Sequence, residues 1–170
     1  GNFGEEYAKE SRRYYYANVT FVDEEIGKVV RTLKEKGMYD NALICYVSDH
    51  GDMLGDHHHW RKTYPYEGSA HVPYIVKWPA ACGFEKGAKV EAPVELRDLL
   101  PTFLDMAGGK VPEDMDGRSL ATLMKGGNNG WRKYIDLEHS TCYSPDNYWC
   151  ALTDGKIKYV WRFHTGEEEL

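Results

Sequence analysis

Between Ser48 and Lys62 the chain gathers Asp49, His50, Asp52, Asp56, His57, His58, His59 and Lys62 in one short stretch. Carboxylates and imidazoles bind cations and carry protons, and a lysine ammonium is a compact positive charge suited to an oxyanion. Asp49 and His50 are adjacent, and where a strand ends and its pleat is lost, both side chains can reach one cation. The oxygen-rich surroundings favour a hard ion. A second reading of the same residues carries equal weight: Asp49 caps the following turn, and His50 hydrogen-bonds a loop carbonyl ahead of the bend at Gly51. His57-His58-His59 has the composition of a metal cluster, but three consecutive side chains in an irregular loop diverge, so at most two of them serve one site. Lys62 is either an anion-clamping cation or a solvated charge beside Arg61, and for a lone lysine the solvated reading is the commoner.

The elements that must hold these groups are read from periodicity. Ala42 to Val47 is short and continuously apolar, the pattern of a strand buried on both faces of a parallel sheet. Ligands of open α/β sheets bind beyond the carboxyl ends of the strands, which puts Asp49, His50, Asp52, Asp56, His57 and Lys62 at one rim. Residues 5–36 read as a helix, with Val19, Val22, Ile26, Val29, Val30 and Leu33 recurring at three- and four-residue steps and Gly37 as the stop. Tyr14, Tyr15 and Tyr16 are assigned to its packed side and rim. Val72 to Trp78 reads as a strand with Pro73 at its beginning, Asp98 to Ala107 as a helix with Pro101 in its first turn, and Arg118 to Met124 as a shorter helix. Gly126 to Gly130 is the best linker. Beyond it, strands are expected at 133–138, 148–153 and 156–161, the last two joined by a two-residue hairpin at Asp154-Gly155. The fold class is therefore α/β, with an α/β core over 1–125 and a small antiparallel β subdomain over 126–170.

Composition narrows the function classes. A formal charge of −6 and a pI near 5.6 provide no basic stripe for a phosphate backbone, so a nucleic-acid partner is not expected. No stretch approaches the roughly 18 apolar residues of a membrane span. The chain begins Gly1-Asn2 rather than with Met, as an excised segment would. Cys45, Cys82, Cys142 and Cys150 lack the paired spacing of a structural zinc site. Cys45 is expected as a small core residue, and a Cys142 to Cys150 bridge is open to an oxidising compartment.

Ser48-Asp49-His50-Gly51-Asp52-Met53-Leu54-Gly55-Asp56-His57, followed by Trp60-Arg61-Lys62, Tyr66-Glu67-Gly68 and Val72-Pro73, resembles the C-terminal half of the sulfatase family, in the alkaline-phosphatase-like superfamily. The stretches Phe21 to Gly27, Asp98 to Gly108, Met115 to Leu120 and His164 to Leu170 resemble sulfatase segments in the same order. The resemblance implies the C-terminal part of an alkaline-phosphatase-like doubly wound sheet with a small antiparallel C-terminal subdomain. It implies Asp49 and His50 as half of a metal site, Lys62 as a catalytic contact to the ester's sulfate oxygens, and His57 as a catalytic or substrate-binding histidine. The implied cation is calcium, with manganese or iron in related phosphonate monoester and phosphodiester hydrolases. His71 departs from the arginine that many relatives carry before Val-Pro.

No Cys/Ser-x-Pro-x-Arg motif is present; Cys142 is followed by Tyr143-Ser144-Pro145. The formylglycine nucleophile, the remaining metal-binding aspartates and an upstream histidine are thus expected in a missing N-terminal part of the same protein. The expectation is a fragment of a sulfatase, inactive alone, whose partners are that N-terminal part and a sulfated small molecule or glycan. Two other readings are a phosphonate monoester or phosphodiester hydrolase and a non-catalytic α/β binding domain.

Overall fold

Helix α1 runs over Glu5–Glu35 in the computed structural model, which describes residues 3–127 and 130–170. Gly1 and Asn2, and Asn128 and Asn129 of the expected linker, lie outside the described residues. Glu5 and Glu6 occupy the first turn, where the helix dipole favours negative charge, and Lys9 reaches back to Glu5 at 2.8 Å. The helix ends as its sequence requires. Gly37 takes φ +65° and donates its N–H to Lys34 O at 3.0 Å, while Met38 donates to Leu33 O at 2.9 Å, the paired bonds of a Schellman stop.

The packed side expected of α1 is covered only in part, with Ile26, Val30 and Leu33 half-buried. Val19, Val22 and Val29 are exposed, and Tyr14, Tyr15 and Tyr16 belong to no core. A helix of this length extends about 46 Å, whereas the two four-residue strands that share its compact unit reach only about 13 Å.

These strands are β1, Ile44–Val47, and β2, Tyr74–Lys77, in the unit that ends at Gly83. They pair antiparallel, from Ile44 opposite Lys77 to Val47 opposite Tyr74, rather than with the parallel neighbour that the apolar run suggested. Lys77 fixes the register. Its ammonium donates to the carbonyls of Tyr39, Asp40 and Ala42 and lies 4.6 Å from the Tyr39 ring centroid, fastening the end of β2 to the turn that launches β1. Cys45 is half-buried rather than part of a closed core, and that burial pushes its thiol pKa up. Between the strands lies α2, a single turn over Glu67–Ala70.

The second unit begins at Phe84. It holds α3, Leu99–Met106, and α4, Ala121–Met124, followed by a four-stranded antiparallel sheet in the order β3 (Ile135–His139), β4 (Trp149–Thr153), β5 (Lys158–Arg162) and β6 (Glu168–Glu169). Trp149, Ala151 and Val160 form the buried face of the sheet, with Leu137 against them. The β4–β5 connection falls where Asp154-Gly155 placed it, but it is longer than two residues: Thr153 pairs with Lys158, leaving 154–157 as the loop. One oxygen of Asp154 accepts the N–H groups of both Lys156 and Ile157 at 2.9 Å, and these bonds hold its carboxyl below the usual range. No bridge joins Cys142 to Cys150. No described helix is long and apolar enough to cross a membrane.

Candidate active site

The segment after β1 is fixed by its backbone before any functional side chain is considered. Gly51 donates to Ser69 O at 2.8 Å, and a Cβ on Gly51 would stand 2.1 Å from Gly68 O, so only glycine permits this approach. Gly68 is closely packed too, though less severely, with Met53 Cα 3.2 Å from where its Cβ would be. Met53 itself is 1% exposed and anchors the crossing. Asp49 and His50 therefore leave the strand over a tightly packed glycine pair.

His50 makes the loop-carbonyl hydrogen bond that one reading of its sequence expected. Its Nδ1 lies 2.7 Å from Gly51 O and, because a carbonyl only accepts, Nδ1 carries the proton. In the neutral ring this leaves the lone pair on Nε2, which lies 3.6 Å from Asp49 Oδ2. A carbonyl behind one imidazole nitrogen and an open lone pair on the other is the arrangement of a metal-binding histidine. Asp49, with 84% of its side chain exposed, presents its carboxylate beside it. The donor pair thus fits a cation but does not complete a site: no group of three or more His, Cys, Asp or Glu that could hold a metal occurs among the described residues.

The turn-capping role considered for Asp49 belongs instead to Asp52, whose Oδ1 accepts the N–H of Leu54 at 2.9 Å and that of Arg61 at 3.1 Å. Met53 N–H donates to Arg61 O at 2.7 Å alongside. The loop closed in this way holds Leu54, His57, His58, Arg61 and Thr63 at positive φ, from 49° to 88°. Such angles are sparsely populated by non-glycine residues, and for the β-branched Thr63 they mark real strain. Arg12 of α1 supports the same turn, donating from Nε to Leu54 O at 2.8 Å and pairing with Asp56 at 3.4 Å.

The rings of His57 and His59 both lie near Tyr66, that of His59 at 6.4 Å between centroids. His57 stacks flat on Tyr66 at 4.2 Å between centroids and His59 on Tyr64 at 4.0 Å. His57 is exposed, so one face of its ring is set by Tyr66 and the rest of the side chain is open. Lys62 is exposed and makes no hydrogen bond or ion pair with the described residues. Its place is set by Arg61, which is bonded through both its N–H and its carbonyl. His71 pairs with Glu67 at 2.8 Å across α2. Asp49 and His50 are therefore brought together, whereas His57 and Lys62 share their loop without touching them. Sequence reading missed Asp52, Tyr66 and Arg12 as organisers. Arg12 carried no signal at all, because its partners are 42 and 44 residues away.

Comparison with known proteins supplies the context for this loop. A family model described as Sulfatase matches residues 1–109. An arylsulfatase of Clostridium perfringens (strain 13 / Type A) is 39% identical over 162 residues, covering 95% of this chain and 33% of that protein. A solved phosphonate monoester hydrolase from Silicibacter pomeroyi superposes with a TM-score of 0.74 at 36% identity, over 86% of this chain and 31% of that one. A further solved structure, in complex with its substrate D-glucosamine-2-N,6-O-disulfate, superposes with a TM-score of 0.75 at 30% identity, over 91% of this chain and 32% of that one. The chain spans about a third of the length of the relatives it matches.

Proposed function

Because the chain belongs to the sulfatase family, within the alkaline-phosphatase-like superfamily, we propose that the protein it is part of hydrolyses sulfate esters and that the 48–62 loop supplies half of the active site. The observation that carries this reading is His50, whose Nδ1–H is committed to Gly51 O while Nε2 faces Asp49 at 3.6 Å. Asp49 and His50 would hold a divalent cation, with calcium the first choice and manganese or iron the alternatives; bound there it would supply Lewis-acid stabilisation, and a formylglycine outside this chain would supply the nucleophile. Lys62 directs its ammonium at the sulfate oxygens, where negative charge grows in the transition state. His57, its ring plane set by Tyr66, contacts the substrate.

The cation needs further oxygen ligands, since calcium takes six to eight. These and the nucleophile fall to an N-terminal part of the same protein, and the uncovered Val19, Val22 and Val29 of α1 supply apolar surface for it to pack on. The same reading keeps 1–125 with the catalytic core and 126–170 as an antiparallel appendage. A sulfated aryl compound or glycan is the proposed substrate, in line with the names of the relatives. The 170-residue chain alone is expected to turn over no aryl sulfate.

A second reading, hydrolysis of phosphonate monoesters, rests on the similarity to the Silicibacter enzyme. The test is kcat/KM of the parent protein for an aryl sulfate against a phenylphosphonate monoester. A higher value for the sulfate supports the first reading, and a higher value for the phosphonate replaces it with the second.

A further inference from the structure

We infer that Asp52 is a positioning residue that sets the place of Lys62 relative to Asp49 and His50, acting through the Arg61 backbone. The inference rests on the sulfate-ester reading for its catalytic consequence but on the hydrogen bonds alone for its geometry. Asp52 lies between Gly51, which is locked against Gly68, and the buried Met53, so its backbone is fixed on both sides. Its Oδ1 then crosses nine positions in sequence to the Arg61 N–H, and Met53 N–H takes the Arg61 carbonyl. Arg61 is thereby held on both sides of its α-carbon, at φ +67°, and Lys62 is the next residue. Left to themselves, the four positive-φ residues Leu54, His57, His58 and Arg61 would relax toward ordinary angles and carry Lys62 with them. Asp52 therefore fixes the spacing between the two metal-binding candidates and the cation.

The clamp needs an acceptor in the right place, not a charge. Both donors converge on Oδ1, and among the described residues Oδ2 accepts no hydrogen bond, so the amide of an asparagine can occupy its position. Asp52→Asn should retain the clamp and Asp52→Ala should lose it. Asp52→Glu keeps the charge but moves the oxygens outward by a methylene, so it should also lose it, and it serves in place of alanine if that variant does not fold.

In the parent protein the experiment combines hydrogen–deuterium exchange over 54–62 with kcat and KM for an aryl sulfate, on Asp52→Ala, Asp52→Asn, Asp52→Glu, Lys62→Ala and the Asp52→Ala/Lys62→Ala double variant. Exchange should accelerate about tenfold or more in the alanine and glutamate variants and stay near wild type in asparagine, the loss of an amide's partner being worth about 1.4 kcal/mol or more. Asp52→Ala should lower kcat by roughly ten- to a hundredfold, as displacement of a catalytic group by about an ångström does. On the Lys62→Ala background it should lower kcat little further, because the two act as one unit. Equal kcat losses on both backgrounds, or unchanged exchange in Asp52→Ala, would overturn the inference. If Lys62→Ala leaves aryl-sulfate turnover intact, the role given to Lys62 fails, and if the parent protein turns over no aryl sulfate, the sulfate-ester reading fails; in either case the clamp is decided by the exchange alone.

Discussion

Asp98 and Asp49 are both carboxylates placed at a turn, and the molecule uses them in opposite ways. Asp98 is completely buried and accepts from Glu95 N at 2.9 Å, Arg118 N at 2.8 Å, and Arg132 Nη1 and Nη2 at 2.5 and 2.6 Å. Every acceptor position of a carboxylate is then filled, in a charge-assisted fork that binds three stretches of the second unit together. Asp49 is exposed, and its neighbour is the His50 ring, with Nε2 at 3.6 Å. A carboxylate saturated by its own protein is a structural joint and can take no ligand. One kept open while Gly51 and Asp52 hold the backbone around it can take a ligand without the loop collapsing onto it. Burial and strong pairing therefore mark Asp98 as the less chemical of the two, although it is the more conspicuous.

The comparison breaks most sharply at Asp98. Replacing it with alanine leaves the Arg132 guanidinium, only 10% exposed, without its main partner, and should cost about 3–5 kcal/mol of stability, read from the urea midpoint. Asp49→Ala should stay within about 0.5 kcal/mol of wild type in the same measurement, since an exposed side chain is lost. A comparable loss in both variants would remove the distinction.

Gly51→Ala tests the backbone that holds the open site. Its methyl group would meet the Gly68 carbonyl, which cannot rotate away, so a destabilisation of about 1–3 kcal/mol is expected in thermal unfolding. A wild-type midpoint would mean that the crossing of 51 and 68 is not tight.

The smallest effect is expected at Asp154, an exposed carboxylate that does use both N–H groups of its turn. Its folded-state pKa is depressed, so the stability it contributes is present above the unfolded value of 3.8 and is lost as pH falls through the lower folded value. The small gap in urea midpoint between wild type and Asp154→Ala should hold at pH 7 and close below about pH 3.8. A gap independent of pH would assign the effect to packing.

What could be read from the sequence divides along the same line between local and distant partners. The α1 stop was legible because Lys34, Gly37 and Met38 settle it among themselves. The apolar stripe of α1 was legible as a pattern, but not that the described chain covers Ile26, Val30 and Leu33 in part and leaves Val19, Val22 and Val29 open. β1 was placed correctly, whereas its antiparallel partner depends on Lys77 reaching a carbonyl 38 residues back. Asp154-Gly155 located the hairpin but not its length, which the Asp154 carboxylate sets by capping two N–H groups. At the site, residue types offered a crowd of carboxylates, histidines and a lysine, and the resemblance to sulfatases singled out Asp49, His50, His57 and Lys62. Nothing in the letters separated Asp52, which closes the loop, from Asp56, which pairs with Arg12 at its surface. The sequence records which groups are available, and the fold decides which of them are consumed.

The central claim is that Lys62, held in place but left unpaired by the described chain, acts on the sulfate group. The most direct measurement is steady-state kinetics of Lys62→Ala and Lys62→Arg in the parent protein on an aryl sulfate, with the divalent cation saturating and folding checked by circular dichroism. Loss of a positioned electrostatic donor should lower kcat by about a hundredfold or more in the alanine variant. Arginine should restore little of it, because a planar guanidinium does not fit where a compact ammonium meets an oxyanion. Near wild-type kcat and KM in Lys62→Ala would show a solvated surface lysine and contradict the assignment.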